Sequence, residues 1–151
     1  MTESKPYFFR CADCGSKNRI PASMVGKTGK CGKCGAALQT RELLSGAPVL
    51  VSDANFETVV VKSPLPVLVY CWATWCPSCS QTSPIIEGFA QDAQGRVRVA
   101  KLNVDPNPVL SARFDIRSVP FLMIFDRGQL VESIPGGLSR HDLMMKMGRY
   151  I

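Results

Sequence analysis

Three Cys-x-x-Cys pairs occur in the sequence, and their surroundings differ. Four cysteines near the N-terminus have the spacing C-x2-C-x16-C-x2-C: Cys11, Cys14, Cys31 and Cys34. The third pair, Cys76 and Cys79, lies in the segment WCPSC, directly after the apolar run PVLVYCWAT. Such pairs can bind a metal ion, form a structural disulfide or carry out thiol chemistry, so the neighbours of each pair decide between these uses.

The four N-terminal cysteines have the spacing of a structural zinc site. Two residues between thiolates allow both sulfurs of one turn to reach the same tetrahedral ion, and Gly15 and Gly35 follow the pairs where a tight turn is needed. Four thiolates would complete the coordination sphere, which predicts a structural rather than a catalytic Zn²⁺. Two disulfides, or a site without metal, remain the alternatives.

The WCPSC pair lies where a buried strand is followed by a helix. Backbone N–H groups and the helix dipole stabilise a thiolate at that position, which predicts that Cys76 is a nucleophile. Cys79, one turn later, is placed to attack a mixed disulfide formed on Cys76. Pro77 suits the first helical position, where its missing N–H has no cost. A buried structural pair is the alternative.

The elements around these pairs divide the chain into two parts. Residues 1–46 are rich in glycine, lysine and small polar residues, and their low apolar content predicts a small zinc-ribbon-like module with a linker. Residues 47–151 read as β-α-β-α-β-α-β-β-α, which predicts an α/β domain with a mixed sheet and helices on both faces.

The boundaries of these elements follow from the apolar pattern. Strands are predicted at 49–51, 66–72, 97–104, 119–125 and 129–134, and helices at 52–61, 76–95, 108–115 and 139–151. Ser52 or Asp53 is expected to cap the first helix, and Ser139 with Asp142 the last.

Charge and composition restrict the classes of function. The chain of 151 residues has a formal charge of +6, and residues 1–46 contribute +5 of it with eight basic and three acidic residues. Four thiolates on a divalent ion would add about −2 there, so a solvated basic face is expected rather than a nucleic-acid site. No apolar run approaches the roughly 20 residues of a membrane span. The start MTESKPYFFR lacks a secretory apolar stretch, which favours the cytosol, where paired cysteines serve metal or redox chemistry.

The motif W-C-x-x-C after a buried strand, at the start of a helix that contains Pro84, resembles the thioredoxin family. The resemblance continues over residues 49–151 through VAKLNVDPNP, FDIRSVPFLMIFDRGQ and IPGGLS. The segments CADCGSKNRIP and KCGKCGAAL resemble the zinc-binding extension of bacterial thioredoxin 2. This resemblance implies a thioredoxin fold and a protein-disulfide reductase, expected to be a monomer that a thioredoxin reductase recycles after it has reduced client proteins.

The resemblance also implies a role for each matching position. Cys76 would be the attacking thiolate and Cys79 the resolving thiol, with Trp75 beside them. Lys101 matches the family's buried lysine near the second cysteine.

The groove that holds the client chain is implied by three further positions. Pro120 would be a cis-proline beside the disulfide, and the backbone of Val119 together with Gly136 would line the groove.

Three positions depart from the family. The dipeptide Pro77-Ser78 replaces Gly-Pro, Ser80 replaces a lysine, and Tyr70 replaces the buried aspartate. The tyrosine, with a pKa of about 10 in model peptides, is a poor base, so the second cysteine is expected to deprotonate slowly. The serine of the dipeptide adds an N–H and a hydroxyl near the first sulfur, which predicts a weaker reductant.

Two other functions stay open at this point. A more oxidising protein would act as an oxidase or isomerase on the same scaffold, and a zinc-dependent binding module would have little redox activity. Cys71, within the buried strand, is expected to be a core residue.

Overall fold

The computed structural model describes residues 6–150, and the first part of this range forms two small antiparallel hairpins. The four strands are β1 (Tyr7–Arg10), β2 (Lys17–Ile20), β3 (Thr28–Lys30) and β4 (Ala37–Gln39). β1 pairs with β2, β3 pairs with β4, and each hairpin contains one Cys-x-x-Cys turn. A 3-10 helix at Thr40–Leu44 follows, where only a linker was expected. The predicted zinc-ribbon-like module is confirmed.

The second part is built on a five-stranded mixed sheet. Its strands are β5 (Val49–Val51), β6 (Val67–Trp72), β7 (Arg98–Asn103), β8 (Phe121–Asp126) and β9 (Gln129–Pro135). The order across the sheet is β5-β7-β6-β8-β9; β5, β7 and β6 are parallel, whereas β8 and β9 are antiparallel to their neighbours. This topology confirms the predicted α/β class and the late antiparallel hairpin.

Helices cover both faces of this sheet. They are α1 (Cys79–Asp92), α2 (Pro108–Arg113) and α3 (Arg140–Met147), with a π-helical turn at Glu57–Val61 and a final 3-10 turn at Gly148–Tyr150. α1 and α3 pack on one face, and the π-helical turn and α2 on the other. β6 lies between the two cores with its first five residues at most 1% exposed, which explains its continuous apolar sequence. No helix within residues 6–150 is long and apolar enough to cross a membrane.

The predicted helix caps were partly right. The Ser139 hydroxyl accepts the N–H of Asp142 at 3.1 Å, as expected. Asp53 does not cap its own helix; its carboxylate instead accepts the N–H groups of Val109 and Leu110, at 3.2 and 2.9 Å, in the first turn of α2. The cap therefore links two segments far apart in sequence, which local spacing did not indicate.

The zinc-ribbon-like module docks against the domain near the far end of α1. The N–H of Arg10 donates to the backbone of the segment before β6, and its guanidinium donates to the carbonyl oxygen of Ser63 at 2.8 Å. Leu65 is buried in the core of the module, and the guanidinium of Arg96 lies 4.0 Å from the centre of the Tyr7 ring. Hydrogen bonds and apolar contacts therefore join the two parts.

Gly95 lies close against Tyr7 in this junction, and replacing it with alanine should loosen the docking. Its φ is +79°, and an added Cβ would lie 2.6 Å from Cε1 of Tyr7. The strained backbone and the clash should together lower the free energy of unfolding by about 1–3 kcal/mol in urea denaturation.

Gly88→Ala is the matched control, because that glycine lies inside α1 with no atom within 4 Å of an added Cβ. Alanine there should stabilise the protein by at most about 1 kcal/mol. Equal effects of the two substitutions would contradict the assigned role of Gly95.

Candidate redox and metal sites

The third cysteine pair lies just beyond the carboxyl end of β6. The Sγ atoms of Cys76 and Cys79 are at near-disulfide distance, with their Cα atoms 5.3 Å apart. Both residues are buried, at 7% and 4% exposed, and the N–H of Cys79 donates to the Cys76 sulfur at 3.2 Å. The pair is therefore an oxidised dithiol with a backbone donor directed at its first sulfur.

The start of α1 differs from the prediction that Cys76 opens the helix. Regular helix begins at Cys79, and Pro77 lies in the preceding turn, where the N–H of Cys79 also bonds the Cys76 carbonyl at 3.3 Å. The Cys76 sulfur thus sits immediately outside the helix, against its first N–H group, which is a favourable place for a thiolate. The hydroxyl of Ser78 lies 3.6 Å from the same sulfur, as the sequence predicted.

Trp75 flanks the pair on the solvent side. Its side chain is 64% exposed, and its indole N–H donates to the carboxylate of Asp105 at 2.9 Å. A shallow cleft of about 340 Å³ beside it is lined by apolar residues that include Val104, Ile116 and Val119. Asp105 was missed in the sequence, because nothing local connects it to a tryptophan thirty residues earlier.

The three predicted groove residues come together at the cysteine pair. The Val119–Pro120 peptide bond is cis, as expected, and Val119 packs against the cluster that contains both cysteines. The N–H of Gly136 donates to the Pro120 carbonyl oxygen at 2.9 Å, and its φ of +82° favours glycine. The sequence did not indicate that Gly137 is also constrained here. A Cβ added at that residue would lie 2.7 Å from the hydroxyl of Thr82.

Tyr70 is fully buried directly beneath the second cysteine. Its hydroxyl donates to the carbonyl oxygen of Cys79 at 3.1 Å and lies 3.0 Å from the hydroxyl of Ser83. Burial raises the pKa of Tyr70 above its ordinary value of 10, so the phenol is neutral at pH 7. The tyrosine therefore supplies a hydrogen-bond donor where the family has a carboxylate.

Lys101 has a partner that the sequence did not predict. It lies opposite Tyr70 in the β6–β7 register, and its Nζ is 3.8 Å from the carboxylate of Glu87 on α1. The same Nζ lies 5.4 Å from the ring centre of Trp72, whose Nε1 has no hydrogen-bond partner among the described residues. A carboxylate on the helix, itself 58% exposed, thus faces the lysine in place of one on the strand.

Cys71 is a core residue, as expected. It is fully buried on the other face of β6 from Tyr70, and burial raises the pKa of its thiol to about 12. A thiol that stays protonated is unreactive toward disulfides.

The four N-terminal sulfurs form a compact cluster. All four Sγ atoms lie within 4.8 Å of one another, with Cys11–Cys34 at 3.6 Å and Cys14–Cys31 at 3.5 Å. A tetrahedral Zn²⁺ with Zn–S bonds of about 2.3 Å separates its sulfurs by about 3.8 Å, so the spacing of the cluster fits that ion.

The two turns that carry these sulfurs have the same geometry. In each, the glycine four residues beyond the first cysteine has positive φ, +76° at Gly15 and +78° at Gly35, and its N–H donates to the carbonyl of that cysteine at 2.9 Å. Backbone N–H groups of Cys34 and Lys33 lower the pKa of Cys31 to about 6. This turn therefore favours a thiolate at Cys31, the form in which cysteine binds zinc, whereas burial and the neighbouring sulfurs raise the pKa of Cys34 to about 12.

A larger cleft, of about 560 Å³, lies at the junction of the two parts, away from the cysteine pair. Five basic side chains line it, but the guanidinium groups of Arg10 and Arg96 donate to backbone carbonyl oxygens of Ser63 and Pro6. These two guanidinium groups therefore connect the module to the domain.

Comparisons with known proteins agree with this geometry. The family model "Thioredoxin" matches residues 47–149, and the model "Thioredoxin 2, N-terminal" matches residues 10–36. The chain is 44% identical to a thioredoxin of Acidithiobacillus ferridurans over 100 residues, which is 66% of this chain and 93% of the relative. It is 42% identical to a thioredoxin of Synechocystis sp. over 101 residues, which is 67% of this chain and 94% of the relative.

The chemistry and the comparisons lead to the same conclusion. A cysteine pair at near-disulfide distance, a cis-proline beside it and a four-cysteine module before it occur in one chain. The chain belongs to the thioredoxin family and is a thiol–disulfide oxidoreductase with a thioredoxin 2-type zinc ribbon at its N-terminus.

Proposed function

We propose that the reduced pair reduces disulfides in client proteins. The Cys76 thiolate attacks one client sulfur, the client disulfide breaks, and a client thiolate leaves. Cys79, once deprotonated, attacks the Cys76 sulfur of the mixed disulfide, which closes the Cys76–Cys79 bond and releases the second client thiolate. Two electrons pass to the client, and a thioredoxin reductase then supplies two further electrons that reduce the Cys76–Cys79 disulfide to the dithiol.

The hydrogen bond from the N–H of Cys79 to the Cys76 sulfur is the observation that carries this order of attack. A donor directed at Cys76 stabilises its thiolate, which makes it the better nucleophile. The exposed ring of Trp75 and the cleft beside it, which both apolar residues such as Val119 and polar ones such as Asp105 line, supply a surface on which a client segment can lie.

A more oxidising protein is the second candidate, and the Ser78 hydroxyl favours it. A hydroxyl near the Cys76 sulfur stabilises the thiolate and hence the reduced pair, which raises the reduction potential. A redox-silent binding module is disfavoured, because the first sulfur has a backbone donor and lies beside an open cleft.

The N-terminal module is proposed to hold one structural zinc ion on four thiolates. The cluster geometry and the matching family model support these ligands, and four thiolates leave no position for a substrate. Such thiolates persist in a reducing compartment, so we place the protein in the cytosol, acting as a monomer on protein clients and not on nucleic acid or membranes. The division between residues 46 and 47 is part of this proposal; the thioredoxin match begins at residue 47.

Replacing Cys79 with serine should trap clients on Cys76. Without the resolving thiol, the mixed disulfide has no internal route to release. The variant is incubated with insulin whose disulfides are intact. Non-reducing gel electrophoresis should then show a covalent adduct that dithiothreitol removes. Cys76→Ser should form none, and capture by that variant would reverse the order of attack.

Replacing Ser78 with alanine should make the protein more reducing. Loss of the hydroxyl near the Cys76 sulfur destabilises the thiolate, and the potential should fall by about 10–30 mV, where 30 mV corresponds to about 1.4 kcal/mol. Equilibration against glutathione measures the shift, and the Pro77→Gly/Ser78→Pro double variant should move in the same direction.

Ser80→Ala is the control for this measurement, since that hydroxyl donates to the Pro77 carbonyl at 2.7 Å rather than to sulfur. A potential that is unchanged in Ser78→Ala, or equally shifted in Ser80→Ala, would show that Ser78 does not tune the site.

Removing zinc should unfold the module and leave the domain intact. Protein purified without chelator should contain about one zinc per chain, and chelation should raise amide hydrogen exchange at β1–β4 while β6–β8 stay protected. Cys14→Ser should lose the metal, whereas Cys71→Ser should retain it. Ordered hairpins in a metal-free protein would contradict the structural role.

A further inference from the structure

Two hydroxyl groups form an ordered chain that ends on the backbone of the second redox cysteine. The Tyr70 hydroxyl has one hydrogen, and its contact with the Cys79 carbonyl, at 3.1 Å, uses it. The hydroxyl of Ser83, 3.0 Å away, must then donate to the Tyr70 oxygen. The chain therefore runs from Ser83 through Tyr70 to the carbonyl oxygen of Cys79, and each bond in such a chain strengthens the next.

The position of Tyr70 connects this turn to the central strand of the sheet. Tyr70 is fully buried in β6, which is paired on one side with Lys101 of β7 and on the other with Leu122 of β8. Cys79 is the first residue of α1, and Ser83 lies one turn later on the same face. The central strand β6 thus contacts the first turn of α1 through the Tyr70 side chain.

The opening turn of α1 needs such support because a proline follows it. Pro84 has no N–H, so the carbonyl of Ser80 lacks its usual helical donor. The neighbouring carbonyl, that of Cys79, is the one that receives the additional bond from Tyr70. The hydrogen bond from Tyr70 therefore constrains the turn that carries the resolving thiol, next to the carbonyl that Pro84 leaves without a helical donor.

We infer, on the basis of the dithiol mechanism proposed above, that Tyr70 and Ser83 are positioning residues for the resolving attack by Cys79. They hold the carbonyl end of the Cys79 peptide unit through the Tyr70 hydroxyl, while the N–H of Cys79 contacts the Cys76 sulfur. An ionised carboxylate in place of Tyr70 accepts hydrogen bonds only and could not donate to this carbonyl. The role is geometric: the neutral hydroxyls take no proton from the thiol.

The two thiol steps can be timed separately with one equivalent of an aromatic disulfide, 5,5′-dithiobis(2-nitrobenzoate), in stopped flow. The first release of thionitrobenzoate reports attack by Cys76 and depends on reagent concentration. The second reports the intramolecular attack by Cys79 and does not. The Cys76→Ser/Cys79→Ser protein supplies the background from the other thiols.

Tyr70→Phe, which keeps the ring and removes the hydroxyl, should slow the second release by up to about tenfold and change the first by less than about twofold, as expected for loss of one hydrogen bond. Ser83→Ala should slow the second release by about threefold. The double variant should be no slower than Tyr70→Phe alone, because Ser83 acts through Tyr70. Tyr150→Phe, which removes a phenol remote from the pair, is the matched control.

Equal slowing of both releases, or unchanged rates in folded Tyr70→Phe and Ser83→Ala, would overturn this inference. The half-buried Ser83 gives a second variant if loss of the Tyr70 hydroxyl impairs folding, which circular dichroism would reveal. Failure of the proposed dithiol mechanism would look different, since the wild-type protein itself would then show no second release.

Discussion

The packing of β6 against the first turn of α1 is the contact on which the redox site depends. A central strand with no exposed surface at Tyr70 fixes the carbonyl of Cys79, and the N–H of that cysteine contacts the Cys76 sulfur. The sulfur thereby has a donor that does not need to reorganise when charge develops on it. Cys76 is itself only 7% exposed, whereas the neighbouring Trp75 is 64% exposed and borders a cleft of about 340 Å³.

The N-terminal module is limited by the small size of its hydrophobic core. Its few buried apolar residues, among them Phe9 and Leu38, form too small a core for independent folding, and four sulfurs provide the missing constraint. The module then docks near the end of α1 opposite the redox pair, through Arg10 and Tyr7. The four-cysteine cluster and the redox pair thus lie apart in the molecule, although both use Cys-x-x-Cys turns.

The sequence was sufficient wherever burial or local spacing controls the structure. The apolar run around Val69 predicted β6 because a strand covered on both faces has no polar positions, and the cysteine spacing predicted the sulfur cluster. It was insufficient where a polar group finds a partner across the fold. Asp105 on Trp75 and Glu87 on Lys101 are such contacts, and neither has a signature in its own segment.

The start of α1 shows a third kind of limit. A cysteine followed by Pro77 satisfies the local preference for a helix start, yet regular helix begins at Cys79, after a tight turn that leaves the first sulfur facing the N–H of the second cysteine. The contact between the Cys76 sulfur and the N–H of Cys79 therefore depends on a helix that begins three residues later than the sequence predicted. Helix propensity cannot locate the first helical residue this closely, because the residues of the turn and those of the helix have nearly the same backbone dihedral angles.

A buried phenol at Tyr70, in place of a carboxylate, changes the electrostatics of the site. A carboxylate within the strand would be shielded from water and could take a proton, whereas Glu87, at 58% exposed, faces Lys101 from a solvated position where its charge is strongly screened. The tyrosine fills the buried space with a neutral group whose raised pKa keeps it protonated. Deprotonation of Cys79 must then rely on solvent or on the departing client thiolate as the base. The site thus retains the geometry of the resolving step while lacking a buried base within the strand.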